Sequence, residues 1–133
     1  MFLKIVSAAA AVVLLSGAAP ALSPWATAQL KDMDAFGFGG PVENLTWEGT
    51  IPTGTAGSVD LQVPAAGTYF VVGSCGEDCE DIGLILQQGG ATVAEGITGF
   101  KAELQPGLYK LNIGFDRCGE PQCRYVVRAY RPG

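Results

Sequence analysis

The chain has 133 residues, eight Lys or Arg against thirteen Asp or Glu, a net charge of −5, and no histidine. That balance argues against nucleic acid and anionic membrane surfaces, which are held by basic patches. Without histidine the chain lacks the commonest metal ligand, the usual general base and every Ser-His or Cys-His nucleophile.

The chain opens on an export signal. Lys4 supplies a short charged segment, Ile5 to Leu15 an apolar run, and Ser16 to Ala28 a stretch of small residues and prolines. Ala26-Thr27-Ala28 fits a small-x-small cleavage site, so residues 1–28 read as a signal peptide and the mature chain is expected to begin at Gln29. The apolar run is too short to span hydrocarbon, and Pro20 and Pro24 interrupt its extension. No cysteine near the site could carry a lipid, and no twin arginine is present. The expectation is a secreted or periplasmic protein with no membrane contact after cleavage.

The 105 residues that follow suit one domain with a modest core. Residues 29–41, with Phe36 and Phe38, read as a flexible Gly-rich lead-in, and 42–133 as the domain itself. From there, apolar and polar residues alternate. Leu45 and Trp47 face one way and Thr46 and Glu48 the other; Val59, Leu61 and Val63 repeat the pattern, as do Tyr109, Leu111, Ile113 and Phe115. Period-two patterning marks half-buried antiparallel strands. Eight are predicted, at 44–50, 58–63, 68–74, 82–87, 91–95, 98–104, 107–115 and 123–130. Tyr69 to Val72 and Ile82 to Leu86 are apolar on both faces and are expected at the centres of sheets. Turns such as Pro64-Ala65-Ala66-Gly67, Gln88-Gly89-Gly90 and Gln105-Pro106-Gly107 punctuate them. The expected class is all-β, an antiparallel sandwich or barrel, with no helix.

One motif occurs twice. Pro64-Ala65-Ala66-Gly67-Thr68-Tyr69 leads into Cys75-Gly76-Glu77-Asp78-Cys79, and Pro106-Gly107-Leu108-Tyr109 leads into Cys118-Gly119-Glu120-Pro121-Gln122-Cys123. In an exported chain, four cysteines in close pairs read as disulfides. The favoured pairing is Cys75–Cys79 with Cys118–Cys123, each bracketing one hairpin loop; 75–118 with 79–123 is the alternative. A four-cysteine zinc site is the rival chemistry, disfavoured by export and by the absence of Cys-x2-Cys.

Counting strand directions puts both cysteine loops at one end, with the Pro52–Gly57 and Gly96–Gly99 turns. There Glu77, Asp78, Glu80, Asp81, Glu95, Asp116 and Glu120 gather, with Arg117 and Arg124 as counter-charges. Glu77, Asp78, Asp81, Asp116 and Glu120 are candidate cation ligands, calcium being the ion that takes several carboxylate oxygens. The competing reading is a solvated acidic rim. Tyr130 shares a strand face with Arg124 and Arg128 and is the candidate exposed contact.

The run Gly57-Ser58-Val59-Asp60-Leu61-Gln62-Val63-Pro64-Ala65-Ala66-Gly67-Thr68-Tyr69 resembles the opening of the bacterial pre-peptidase C-terminal domain. Asp81-Ile82-Gly83-Leu84-Ile85-Leu86 is similar to that family's Asp-containing strand, and the stretch from Leu104 through Val127 to its closing strands. The resemblance spans residues 45–130. It implies a jelly-roll-like sandwich that accompanies exported enzymes or binds surface polymers, without catalysis of its own.

Catalytic readings find little footing. Val72-Gly73-Ser74-Cys75-Gly76 lacks the first glycine of a nucleophile elbow and has no histidine to activate Ser74. Loop carboxylates acting as a hydrolase pair form the alternative function, as does a calcium-dependent carbohydrate- or protein-binding domain. The expected function is a non-catalytic, disulfide-stabilised binding or structural module. No metal or cofactor is called for, and the partner is an unspecified extracytoplasmic protein or polysaccharide.

Overall fold

The computed structural model describes residues 21–77 and 79–132. Residues 1–20 of the expected signal peptide and Asp78 of the acidic cluster lie outside the described residues. A helix, α1 (Pro24–Ala35), precedes eight strands: β1 (Gly40–Pro52), β2 (Gly57–Val63), β3 (Gly67–Cys75), β4 (Cys79–Gln88), β5 (Ala91–Ile97), β6 (Gly99–Leu104), β7 (Gly107–Cys118) and β8 (Gln122–Arg131). Every predicted strand is present, most lengthened by a few residues. The helix is the departure.

The strands form two antiparallel sheets, ordered β1-β8-β3-β6 and β2-β7-β4-β5. This interleaving of two Greek keys is the eight-stranded jelly roll. Chains expected at the centres, β3 and β4, do occupy inner positions. Between the sheets pack Leu45, Leu61, Val71, Ile82, Leu84, Leu86, Leu111, Ile113 and Val127, all buried. They are the inward members of the alternating pattern, whose removal from water drives the sandwich together at about 25 cal/mol per Å² of apolar surface.

Six of the seven connections between strands change sheet. The exception is the β4–β5 hairpin, whose two-residue turn Gly89-Gly90 has φ of 61° and 85°. Positive φ at both central positions matches the right-handed twist of the strands and suits glycine. The cysteine loops are therefore not the hairpin loops that the sequence suggests. Cys75–Cys79 closes the arch from β3 in the first sheet to β4 in the second, and Cys118–Cys123 the arch from β7 back to β8. Because β3 pairs with β8 and β4 with β7, the arches lie side by side, Cys79 opposite Cys118. Each bridge staples one sheet to the other.

The motif that precedes each arch is also a structural device. The Tyr69 hydroxyl donates to the Ala65 carbonyl at 2.6 Å, and the Tyr109 hydroxyl to the Gln105 carbonyl at 2.9 Å. Each tyrosine reaches back four residues and pins the Pro/Gly turn from which its strand starts, as a tyrosine corner does. Gly-x-Tyr in both copies thus belongs to the opposite end of the sandwich from the cysteines.

Helix α1 occupies residues expected to be split between a discarded signal and a flexible lead-in. Ser23 caps it, its hydroxyl accepting from the Ala26 N–H at 3.0 Å, and Pro24 takes the first helical position, where a missing N–H costs nothing. Ala26, Leu30 and Met33, spaced i, i+4, i+7, are buried against Val72, Val126 and Tyr130 on the outer face of the first sheet. Among the described residues, no helix is long and apolar enough to cross a membrane.

Candidate functional site

The acidic end of the sandwich is built by the arches. Thr53 donates its N–H to the Pro121 carbonyl at 2.9 Å and its hydroxyl to the Glu120 carbonyl, tying the β1–β2 turn to the second cysteine loop. The β5–β6 turn joins through Thr98, which accepts from Gly73 N–H and donates to Ile82 O at 2.6 Å. These bonds hold Thr98 at φ 69°, a left-handed conformation that a β-branched residue rarely takes. The end is ordered.

Among the described residues, its carboxylates do not converge on one point. Glu77 and Glu120 line one shallow pocket with Arg124 and Trp25, while Asp116 lines another with Arg117 and the Thr53–Ala56 turn. Glu80 pairs with Arg117 at 3.6 Å, both side chains well exposed, so the contact contributes little to stability. Arg124 lies 4.8 Å over the Trp25 ring. Glu95 stands on the outer face of the second sheet, opposite Ile85, rather than with the arches. Among the described residues, no three carboxylates or thiols are grouped to hold a metal ion. The four cysteines form the two favoured disulfides, and none is free.

Tyr130 is not an exposed contact: it is 0% exposed. Its ring packs against Phe38, with centroids 5.5 Å apart, and its hydroxyl donates to Asp34 at 2.6 Å, beside the Arg128–Asp34 ion pair. Burial, then the bond to Asp34, pushes its hydroxyl pKa well above that of a free tyrosine. The residue faces the side that Arg124 and Arg128 share, as expected, but α1 covers that side. Tyr130 therefore lies in an inner layer, under a helix that strand alternation alone does not reveal.

Among the described residues, nothing covers the outer face of the second sheet in this way. Ile85 and Ile97 are exposed there, Ile97 at 69%. Between them, Gly83 of β4 pairs directly with Gly114 of β7, and Ile97 of β5 stands opposite Gly83. The result is a groove of about 350 Å³ with a floor of bare backbone, aliphatic walls at Ile85 and Ile97, and polar groups at Asn112 and Glu95. Asn112 is oriented by its bond to the Gln87 side chain at 3.0 Å.

Neither glycine is required by the fold. Both have ordinary extended φ; a Cβ at Gly114 would meet nothing within 4 Å, and one at Gly83 only the Gly114 carbonyl oxygen at 3.8 Å. Glycine inside a strand weakens it, by roughly 0.5–1 kcal/mol relative to alanine. Two of them are paired at the middle of this sheet without steric need, and they leave its backbone open to close approach from outside. Gly83 and Gly114 are legible in the sequence only as glycines interrupting apolar strands; their pairing requires the register. No protein-family model matches the chain, and no curated protein matches it.

Proposed function

We propose that this chain acts outside the cytoplasm, after signal cleavage, as a non-catalytic binding module that engages a partner protein through the open face of its second sheet. The observation that carries the reading is the Gly83–Gly114 floor between Ile85 and Ile97. Export is supported by the leader-like first residues and by two disulfides, which persist in oxidising compartments. Aliphatic walls and a backbone floor favour the apolar side chains of a protein over the sugar rings of a polysaccharide. The jelly roll is compatible with the resemblance to the pre-peptidase C-terminal domain, which would make the partner an exported enzyme or a surface protein. Separated carboxylates, with Glu77 and Glu120 beside Arg124 and Glu80 and Asp116 beside Arg117, give the hydrolase and calcium readings less support.

The reading is tested by placing a photo-crosslinking residue at Ile97 in the exporting cell. A discrete heavier adduct is expected, containing a second polypeptide and lost when Gly114→Leu fills the groove. A polydisperse, protease-resistant smear would turn the assignment to a polysaccharide. No adduct beyond that of a control at Gln62 would remove the binding role of this face.

A further inference from the structure

Helix α1 straddles the expected cleavage point, since Ala28 and Gln29 are consecutive residues within it. A cut there would discard the first turn of the helix that closes the first sheet, Trp25 and Ala26 with it. On the amino side lie the capping Ser23, Trp25 under the Arg124 guanidinium at 4.8 Å, and Ala26, which is 0% exposed against the sheet. Ser23 also donates its N–H to Glu48 at 2.9 Å, and its hydroxyl to the same carboxylate. The remnant, Gln29 to Ala35, would be a seven-residue stub. Isolated helices shorter than ~12–15 residues are marginal in water. The stub would lack its cap and carry a new ammonium group at the positive end of the helix dipole.

We infer that the precursor is cut instead between Ala21 and Leu22, so that Ser23 and all of α1 belong to the mature protein. Ala19-Pro20-Ala21 is itself a small-x-small site. It ends six residues beyond Leu15, the last residue of the apolar run, whereas Ala28 lies thirteen beyond it. A cleavage site is expected close behind that run. Leader peptidase adds water across the Ala21–Leu22 amide: the carbonyl carbon gains oxygen, the C–N bond breaks, and Leu22 nitrogen leaves protonated as an ammonium. That charge arises one residue from Ser23, whose N–H and hydroxyl already hold the Glu48 carboxylate. Those two bonds from Ser23 also keep the Glu48 pKa below the ordinary glutamate value. Glu48 thus provides a counter-charge for the new terminus, and its anion lies near the helix N-terminus, where negative charge is favoured.

This inference rests on the export reading, and intact-mass measurement separates the two. Ala28 is exposed on α1, so Ala28→Arg leaves the packing alone while making residue 28 unacceptable to a peptidase that requires a small side chain. Exported wild type and Ala28→Arg should both begin at Leu22, and Ala21→Arg should accumulate as uncut precursor. A wild-type chain beginning at Gln29, with precursor accumulating for Ala28→Arg instead, would overturn the cleavage position and leave export standing. Met1 retained in all three would overturn both. Purified chains starting at Leu22 and at Gln29 give an independent readout: the shorter should unfold at clearly lower denaturant, and equal midpoints would contradict the role assigned to residues 22–28.

Discussion

The two sheets of this sandwich share a plan and differ in what lies outside them. β3 and β4 are both inner strands, apolar on both faces over Tyr69–Val72 and Ile82–Leu86. Outside β3, α1 buries Val72 and Val126 and encloses Tyr130 with Phe38 and Phe70. Outside β4, Ile85 meets water and the neighbouring backbone is stripped to Gly83 and Gly114. Outward apolar residues on a strand can therefore mean two things. One face is covered by α1; the other, among the described residues, stays open, and it is the face proposed above to meet a partner.

The sharpest way to break that comparison is truncation on each side. Leu30→Ala removes a buried side chain from the closed face and should cost about 2–4 kcal/mol in denaturant unfolding. Ile97→Ala on the open face should fall within about 0.5 kcal/mol of wild type. Equal losses would mean that the two faces are not different in kind.

A smaller effect separates the motif copies from the faces. Tyr69→Phe and Tyr109→Phe each delete one hydroxyl bond to a turn carbonyl and should each cost about 1 kcal/mol. The two corners share no hydrogen-bond partner, but their turns adjoin through the Val63–Gly107 and Gly67–Leu104 pairs, so the double variant should lose at least the sum. A larger combined loss would indicate that the turns support each other.

Glycine replacement should then change sign with position. Gly114→Val fills open space on a strand and is expected to stabilise by about 0.5 kcal/mol while abolishing the Ile97 adduct. Gly99→Val drives a Cβ to 2.8 Å from the Val71 carbonyl oxygen and should destabilise. Destabilisation by Gly114→Val would make the glycine floor a requirement of folding rather than of binding.

The smallest effect is alkaline. Burial raises the pKa of Tyr125, and burial with the Asp34 bond raises that of Tyr130 further. The folded state therefore keeps protons that the unfolded chain releases near the ordinary tyrosine pKa of about 10. Stability from these groups is complete below pH ~10 and declines as pH rises towards the folded values. Tyr130→Phe should flatten that decline, and an unchanged slope would separate it from Tyr130.

Most of the sandwich was legible because its strands carry strict alternation and its turns carry Pro and Gly. The cysteine pairing was legible from spacing. That the loops are arches between sheets was not, since spacing alone does not say which sheet receives the returning strand. Helix α1 had its own signals: Ser23-Pro24 as cap and first residue, and Ala26, Leu30 and Met33 on one face. They were hidden because Ala26-Thr27-Ala28 also fits a cleavage site, which divided the stripe before its period could register. Tyr130 depends on the same helix, since without its cover an outward strand residue reads as surface. The groove depends on Gly83 meeting Gly114 across 31 residues, a fact of register alone.

Hydroxyl-radical footprinting, on the purified mature protein and again in the cell envelope, tests the asymmetry most directly. In isolation Ile97 and Phe36, both exposed, should be modified, and the buried Met33 and Tyr130 spared. In the envelope Ile97 and Ile85 should become protected while Phe36 stays reactive. Strong labelling of Met33 or Tyr130 in the purified protein, or unchanged labelling of Ile97 in the envelope, would contradict a molecule with one face sealed and the other engaged.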